Sequence, residues 1–236
     1  MKEIKARLIQ RIKRTPTVES FRFLPEEKLN FIPGQFTRLI FDGENRENKE
    51  LNKYLSFSCS PGKEYVEVTK RLSSSAFSSR LKGLKIGGEV SLAPPSGNCI
   101  FKDDYKNIGF LIGGIGITPV ISIIEHVINR KLETDIVLVY SNRTDEEIAF
   151  KQELDRWRSL NDKLKIFYMV TDCEPKDNTC IHGMITKDLV KEKICDMNKR
   201  IFFIFGPAGM VEAMKVLSFE LGCDKESVKS ETFVGY

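Results

Sequence analysis

Two patterns of apolar residues divide this chain. Up to about residue 101 the apolar positions come in short, alternating or β-rich stretches at 3–13, 18–24, 36–41, 55–59, 65–70 and 89–93. Turn signals separate them: Thr15-Pro16, Ser60-Pro61-Gly62, Gly87-Gly88 and Pro94-Pro95-Ser96-Gly97. Many short strands with regular turns predict an antiparallel Greek-key β-barrel. One helical piece interrupts it at 75–81, and the polar, aperiodic stretch 42–53 reads as an exposed loop. Past a hinge at 102–106 the pattern changes, and apolar runs at 108–112, 136–140, 165–170 and 201–205 alternate with helical segments at 119–130, 146–160, 186–192 and 207–221. Such alternation predicts a parallel sheet covered by helices. The expected domains are 1–102 and 103–236. Thr144-x-x-Glu147 reads as a capping box for the second of these helices.

The run Phe110-Leu-Ile-Gly-Gly-Ile-Gly-Ile-Thr-Pro119 stands at the start of the second pattern. An apolar strand breaks into Gly113, Gly114 and Gly116, Thr118 offers an N-cap hydroxyl, and Pro119 suits the first helical position. Free amides and a helix N-terminus at one point make a phosphate site. The spacing is not G-x-G-x-x-G, so glycines serving tight packing alone remain an alternative. Residues 108–124 carry no charge, but the run falls short of the roughly 20 residues of a membrane span and is broken by glycines and proline.

Composition narrows the class. The 236 residues have a net charge of +4 and ordinary apolar content, as in a soluble globular protein. The charge is uneven: of 37 Lys+Arg and 33 Asp+Glu, 19 and 13 fall in residues 1–105, leaving 18 and 20. A basic first half suits an acidic partner or nucleotide phosphates, while no basic run interleaved with aromatics suggests nucleic acid. The opening residues lack the apolar stretch of a secretory signal, so a cytoplasmic protein is expected. Six cysteines without a C-x-x-C pair read as reduced thiols, and no metal site is expected.

Four motifs in order resemble the ferredoxin–NADP reductase family, and the likeness covers essentially the whole chain. Pro33-Gly34-Gln35-Phe36 is similar to the family's P-G-Q-[FY] turn. Gly113-Gly-Ile-Gly-Ile-Thr-Pro119 is similar to its G-G-x-G-x-[TAS]-P nucleotide loop. Phe205-Gly-Pro-Ala-Gly-Met210 resembles the G-P-x-x-M segment after the fourth parallel strand, and Glu231-Thr-Phe-Val-Gly-Tyr236 resembles the acidic–aromatic C-terminus that covers the flavin. The resemblance implies an FAD-binding barrel followed by an NAD(P)-binding α/β domain.

It also implies site residues, with departures. Lys53-Tyr54-Leu55-Ser56 stands where the family has R-x-[YF]-S. Ser56 matches the hydroxyl near flavin N5. Lys53 replaces the arginine on the FAD pyrophosphate, keeping charge but losing the bidentate fork. Leu55 replaces an aromatic ring; a register using Tyr54 as the stacking ring would displace Ser56. The second flavin segment, from Lys70 through Leu72 to Ser75-Ala76-Phe77-Ser78, stands on G-x-x-S with Ser75 for glycine. Gly113, Gly114 and Gly116 would admit the pyrophosphate of the nicotinamide nucleotide. Thr118 with Gly206 and Pro207 would border its nicotinamide end, Pro119 and Met210 would also contact the cofactor, and Phe233 would lie over the flavin. Glu231 would assist proton exchange. Phe205 stands where many relatives have a cysteine. At the expected second-strand tip, Ser141-Asn142-Arg143 offers no acid, which favours NADPH over NADH, unless Arg143 pairs with Asp145, Glu146 or Glu147.

The implied activity is hydride transfer from NADPH or NADH to FAD, with electrons passed on to a separate protein or small redox acceptor carrying an iron–sulfur, haem or quinone group. Two alternatives stay open: an electron-transfer subunit of a larger flavoenzyme complex, and a non-catalytic nucleotide-binding module that has lost flavin.

Overall fold

Alternation of core and solvent-facing residues builds the first sheet. In the computed structural model, which describes residues 2–176 and 178–233, six antiparallel strands carry it. They are β1 (Ile4–Lys13), β2 (Val18–Pro25), β3 (Phe36–Ile40), β4 (Asn52–Ser56), β5 (Val66–Arg71) and β6 (Glu89–Leu92). Their order is β4-β3-β6-β1-β2-β5. The two outermost strands meet: Phe57 bridges Val68, and Ser58 N donates to Glu67 O at 2.8 Å. The sheet thereby closes into the expected barrel, which leaves no open edge between β4 and β5. Inward residues such as Ala6, Leu8, Phe21, Phe23, Leu39, Phe57 and Val68 fill it. Helix α1 (Ala76–Gly83) follows β5 and buries Phe77 and Leu81 against that core.

Opposite parity on β2 and β5 makes a polar seam. Glu67, 2 % exposed, accepts from Arg14 Nη2 at 2.9 Å and Arg22 Nε at 2.7 Å. Ser20, Ser58 and Thr69 link beside it at 2.6–2.7 Å. A buried carboxylate persists only when paired this way.

Near-continuous apolar runs build the second sheet, because its strands are covered on both faces. All six are parallel: β7 (Asn107–Gly113), β8 (Asp135–Asn142), β9 (Leu164–Val170), β10 (Cys180–His182), β11 (Ile201–Gly206) and β12 (Val228–Thr232), in order β10-β9-β8-β7-β11-β12. The helices are α2 (Ile117–Arg130), α3 (Lys151–Leu160), α4 (Lys187–Lys193) and α5 (Ala208–Glu220). From β7 the chain winds outward through β8, β9 and β10, then returns to the other side of β7 for β11 and β12. The order therefore reverses between β7 and β11, the point where open α/β sheets bind ligands. Residues group into two compact units. Of the described residues, one takes in Lys2–Phe101 with Thr118–His126, the other Lys102–Ile117 and those from Val127 to Phe233.

Several local expectations are corrected. Thr118 is not an N-cap: a 3₁₀ turn at Gly114–Gly116 leads into α2 two residues earlier, with Gly116 at the cap and Thr118 buried in the first turn. Pro119 still falls in that turn, where a missing N–H leaves no carbonyl unpaired. The capping box at Thr144 does not form either. Asp145–Glu147 is a 3₁₀ turn, Thr144 makes no capping bond, and α3 begins only after Phe150, which adopts φ +62°. Lys53 lies in a strand, not a loop. The Asn52 side chain takes the amides of Phe41 and Asp42 and donates to Asp42 O, ordering the hairpin three residues earlier than periodicity indicated. Ser141 and Asn142 complete β8. Short β10 and polar β12 had no periodic signal, so β11 is the fifth parallel strand in chain order and His182 lies in β10.

A Cβ on Gly116 would stand 2.5 Å from Phe205 O and 2.6 Å from Phe205 C. Gly116→Ala is therefore expected to force the β11 backbone aside and lower stability by more than the ~1–3 kcal/mol typical of overpacking. Gly209→Ala, with open space around the new methyl, should gain up to about 1 kcal/mol from helix propensity. Chemical denaturation of the two variants checks both signs.

Candidate cofactor site

Three glycines shape the crevice at the strand-order reversal. A Cβ on Gly113 would lie 2.3 Å from Met210 Sδ and 3.1 Å from Pro207 Cδ, and one on Gly206 would lie 3.2 Å from Gly113 N. The ends of β7 and β11 thus approach closely where neither carries a side chain. Gly114 adopts φ +52°, a left-handed conformation glycine takes without strain. The structure brings Gly113, Gly114, Gly116, Gly206, Pro207 and Met210 together, as their motifs implied. Open backbone amides beside a helix start are what a pyrophosphate needs, so the crevice fits a dinucleotide.

The C-terminal segment is tied to this crevice. β12 pairs with β11, setting Glu231 beside Phe205 and Thr232 beside Gly206. Phe233 N donates to Gly206 O at 3.0 Å, and its ring meets that of buried Phe205 edge-on at 6.4 Å. Burial pushes the Glu231 carboxyl above the usual carboxylate range; no ion pair engages it among the described residues. The remainder of the C-terminal motif, Val234 to Tyr236, lies outside the described residues.

At the tip of β8, Ser141 shares the parity of Val137 and Val139, which pack with Val190, Val211 and Met214 of α4 and α5. Asn142 points to the other face. It is 6 % exposed, and its side-chain amide has no hydrogen-bond partner among the described residues. Arg143 is exposed and forms no ion pair among them. The acids that follow are engaged elsewhere: Lys176 N donates to Asp145 Oδ2 at 2.6 Å and Lys176 Nζ to Glu146 Oε1 at 2.5 Å. The sequence reading missed Asp172. Its amide donates to Arg143 O at 2.8 Å, and its carboxylate accepts from Thr171 Oγ1 at 2.7 Å. An acid thus stands at the tip after all, contributed by the chain following β9; only the strand pairing reveals it.

On the barrel, Ser56 is buried and its hydroxyl forms no hydrogen bond with another described residue. Lys53 and Leu55 share one parity of β4, Tyr54 and Ser56 the other. Leu55 and Leu72 pack partly buried against the barrel core. Tyr54 is 64 % exposed, its ring edge-on to Phe36 at 5.4 Å and under the Arg38 guanidinium. Ser75 caps α1, accepting from Ser78 N at 3.3 Å, with φ −64° and ψ 153°, a conformation open to any residue. That is why serine serves where the family has glycine. The amides of Ala76 and Phe77 keep no partner among the described residues. The Ser78 hydroxyl is held by Ser73 and Ser75 at 3.3 and 3.1 Å. Open amides at a helix start, an unspent buried hydroxyl and half-buried lysines fit a phosphate-bearing flavin.

Among the described residues no cluster of His, Cys, Asp or Glu could hold a metal, all six cysteines are free thiols, and no helix is long and apolar enough to cross a membrane.

Comparison with known proteins agrees with this geometry. Residues 110–215 match the oxidoreductase NAD-binding domain family. The chain is 25 % identical to flavohemoprotein A of Dictyostelium discoideum, covering 95 % of this chain and 58 % of that protein. It thus spans little more than half of such relatives. With NADH-cytochrome b5 reductase 1 of Aspergillus terreus it is 28 % identical over 85 % of this chain and 71 % of that one. The fold superposes with TM-score 0.86 and 16 % identity on the flavohem-like FAD/NAD-binding domain of nitric oxide dioxygenase from Vibrio cholerae, covering 99 % of each. Residues 110–215 thus carry the pattern of an oxidoreductase NAD-binding domain, and the chain as a whole shares its fold with an FAD/NAD-binding module.

Proposed function

We propose that this protein takes a hydride from NADH onto FAD and passes the electrons singly to a haem-bearing acceptor protein. The observation that carries the nucleotide site is the side-chain-free approach of Gly113 and Gly206 where the strand order reverses. Haem as acceptor rests on the names of the relatives, flavohemoproteins and cytochrome b5 reductases. The cationic excess of the barrel half suits an acidic surface on that acceptor.

FAD, when bound, supplies the two-electron to one-electron conversion. The residues supply binding and placement. Gly113, Gly114 and Gly116 admit the nucleotide pyrophosphate, with Thr118 and Pro119 in the helical turn behind them. Gly206, Pro207 and Met210 border the nicotinamide end. Ser56, whose hydroxyl has no hydrogen-bond partner among the described residues, would offer it to the flavin. Leu55 and Leu72 give apolar cover with Tyr54 at the rim, and the α1 start from Ser75 to Ser78, with Ala76 between, takes phosphate. Phe233 borders the crevice and gives way as nicotinamide enters. Glu231, holding its proton to higher pH, would be placed to hold or release a proton beside the crevice.

NADH is preferred because Asp172 offers its carboxylate to a ribose hydroxyl at the β8 tip. A second reading, NADPH, has its own support: Arg143 is without an ion pair, and Ser141 and Asn142 stand beside it with an unspent amide. The visible spectrum under anaerobic titration with each donor separates them. Yellow protein bleached by NADH at far lower concentration is expected; bleaching by NADPH alone reverses the choice. Asp172→Ala should lower kcat/KM for NADH about tenfold, the loss of a charge-assisted hydrogen bond, while Arg143→Ala should leave NADH turnover within about twofold. A colourless protein that takes up no FAD would remove the oxidoreductase reading.

Glu231 gives a separate test. In the unfolded chain this carboxyl ionises in its ordinary range, whereas burial keeps the proton on in the folded state. Folding thus favours proton binding over that interval, and stability falls as pH rises through it and stays lower above. Glu231→Gln is expected to raise the melting temperature by a few degrees at about pH 7–8 and to have little effect near about pH 4. Scanning calorimetry at both pH values checks this, and an equal shift at both would rule out a titrating origin.

A further inference from the structure

Half-buried cations of the barrel mostly have an acceptor: Arg38 donates to Arg46 O, and Arg71 Nη1 to Thr17 Oγ1 at 3.2 Å. Arg14 and Arg22 meet Glu67, Arg11 meets Glu19, and Lys63 meets Glu125 at 2.6 Å. Lys53 on β4 and Lys70 on β5 break the pattern. Both are half-buried, and neither side chain forms an ion pair or hydrogen bond among the described residues. They are also neighbours. The antiparallel Phe57–Val68 bridge, continued by two residues, sets Leu55 opposite Lys70. Lys53 is then a diagonal cross-strand neighbour, at the roughly 7–8 Å typical of such pairs. Burial, and then the Lys53 charge, depress the Lys70 pKa.

Two like charges, partly desolvated and side by side, destabilise the barrel. An anion would reverse the sign. Four residues beyond β5 lie the open amides of Ala76 and Phe77 at the start of α1, a second group of donors without acceptors.

Resting on the assignment of FAD to this barrel, we propose that Lys53 and Lys70 form a two-cation clamp for the FAD pyrophosphate. Lys70 supplies the second contact that Lys53 alone cannot make. The family's motif arginine gives two parallel hydrogen bonds from one planar fork; an ammonium is a point charge and offers one direction at a time. Two lysines reached from two strands restore two contacts and add a second charge. The clamp selects flavins by their phosphates, so the chain discriminates FAD from riboflavin more strongly, and with more salt sensitivity, than one fork would.

The test is flavin fluorescence titration of the flavin-stripped protein with FAD and with riboflavin, at low and high salt. Lys70→Met should weaken FAD about 10–100-fold, the scale of a charged hydrogen bond, leave riboflavin unchanged and flatten the salt dependence. Lys53→Arg added to Lys70→Met should regain at least about tenfold, because the fork makes two contacts from one residue. Without flavin, Lys70→Met should melt no lower than the parent, since it removes a repulsion. Equal weakening of FAD and riboflavin would make Lys70 a packing residue and overturn the clamp, as would unchanged FAD affinity. A parent protein that takes up neither flavin overturns the clamp and the flavin assignment together.

Discussion

The second sheet depends on a backbone-to-backbone approach that any side chain would block. Gly116 lies against the peptide between Phe205 and Gly206, so α2 can start directly where β7 and β11 end. Were the helix held off by one methyl group, the amides at its start would move away from the strand ends. The polar ends of two strands and a helix would then have no common focus. Gly113 and Gly206 are close-packed beside it: a Cβ on Gly113 would meet the side chains of Met210 and Pro207, and one on Gly206 the backbone of Gly113. Packing and ligand capacity are here one property. The glycines read as tight-packing residues and as a phosphate loop for the same geometric reason.

Charge tells the complementary story in the barrel. Glu67 is buried yet fully answered by two arginines, and the seam around it closes through Ser20, Ser58 and Thr69. Such a network holds β2 and β5 together and leaves nothing to offer a ligand. Cys59 beside it is pushed up to about 12 by burial, a thiol far from reactive at neutral pH. Among the described residues, groups with capacity left over include the Ser56 hydroxyl, the α1 amides and the two lysines, on β4, β5 and the start of α1. The barrel thus separates charges that hold it together from charges that await a partner.

Legibility in the sequence followed physical cause. Buried parallel strands announce themselves as apolar runs, and β7, β8, β9 and β11 were readable because each holds an apolar run of at least five residues. β12 was not: Val228–Thr232 is a half-exposed edge strand with the sequence VKSET, held by pairing rather than by its own composition. Local start signals misled where tertiary structure supplied an earlier turn. Thr118 and Thr144 both carry cap-like sequences, yet glycine geometry and the 3₁₀ turn at Asp145 decided those helix ends. Of the site, the residues bound by backbone geometry were legible through their glycines. Asp172 was not, because it reaches the β8 tip from another strand, and no spacing along the chain encodes that.

The pairing of β12 with β11 carries the last step. A C-terminal segment that lay free on the surface would have no fixed relation to the nucleotide crevice. Here Glu231 and Thr232 are in register with Phe205 and Gly206, and the amide of Phe233 extends the ladder onto Gly206. The position of Phe233 is therefore inherited from the same strand that bears the glycine, and shifting its backbone away from the crevice rim must break or bend one backbone hydrogen bond. One bond is worth about 0.5–1.5 kcal/mol net. That is enough to hold the ring in place and small enough for a binding nucleotide to displace it.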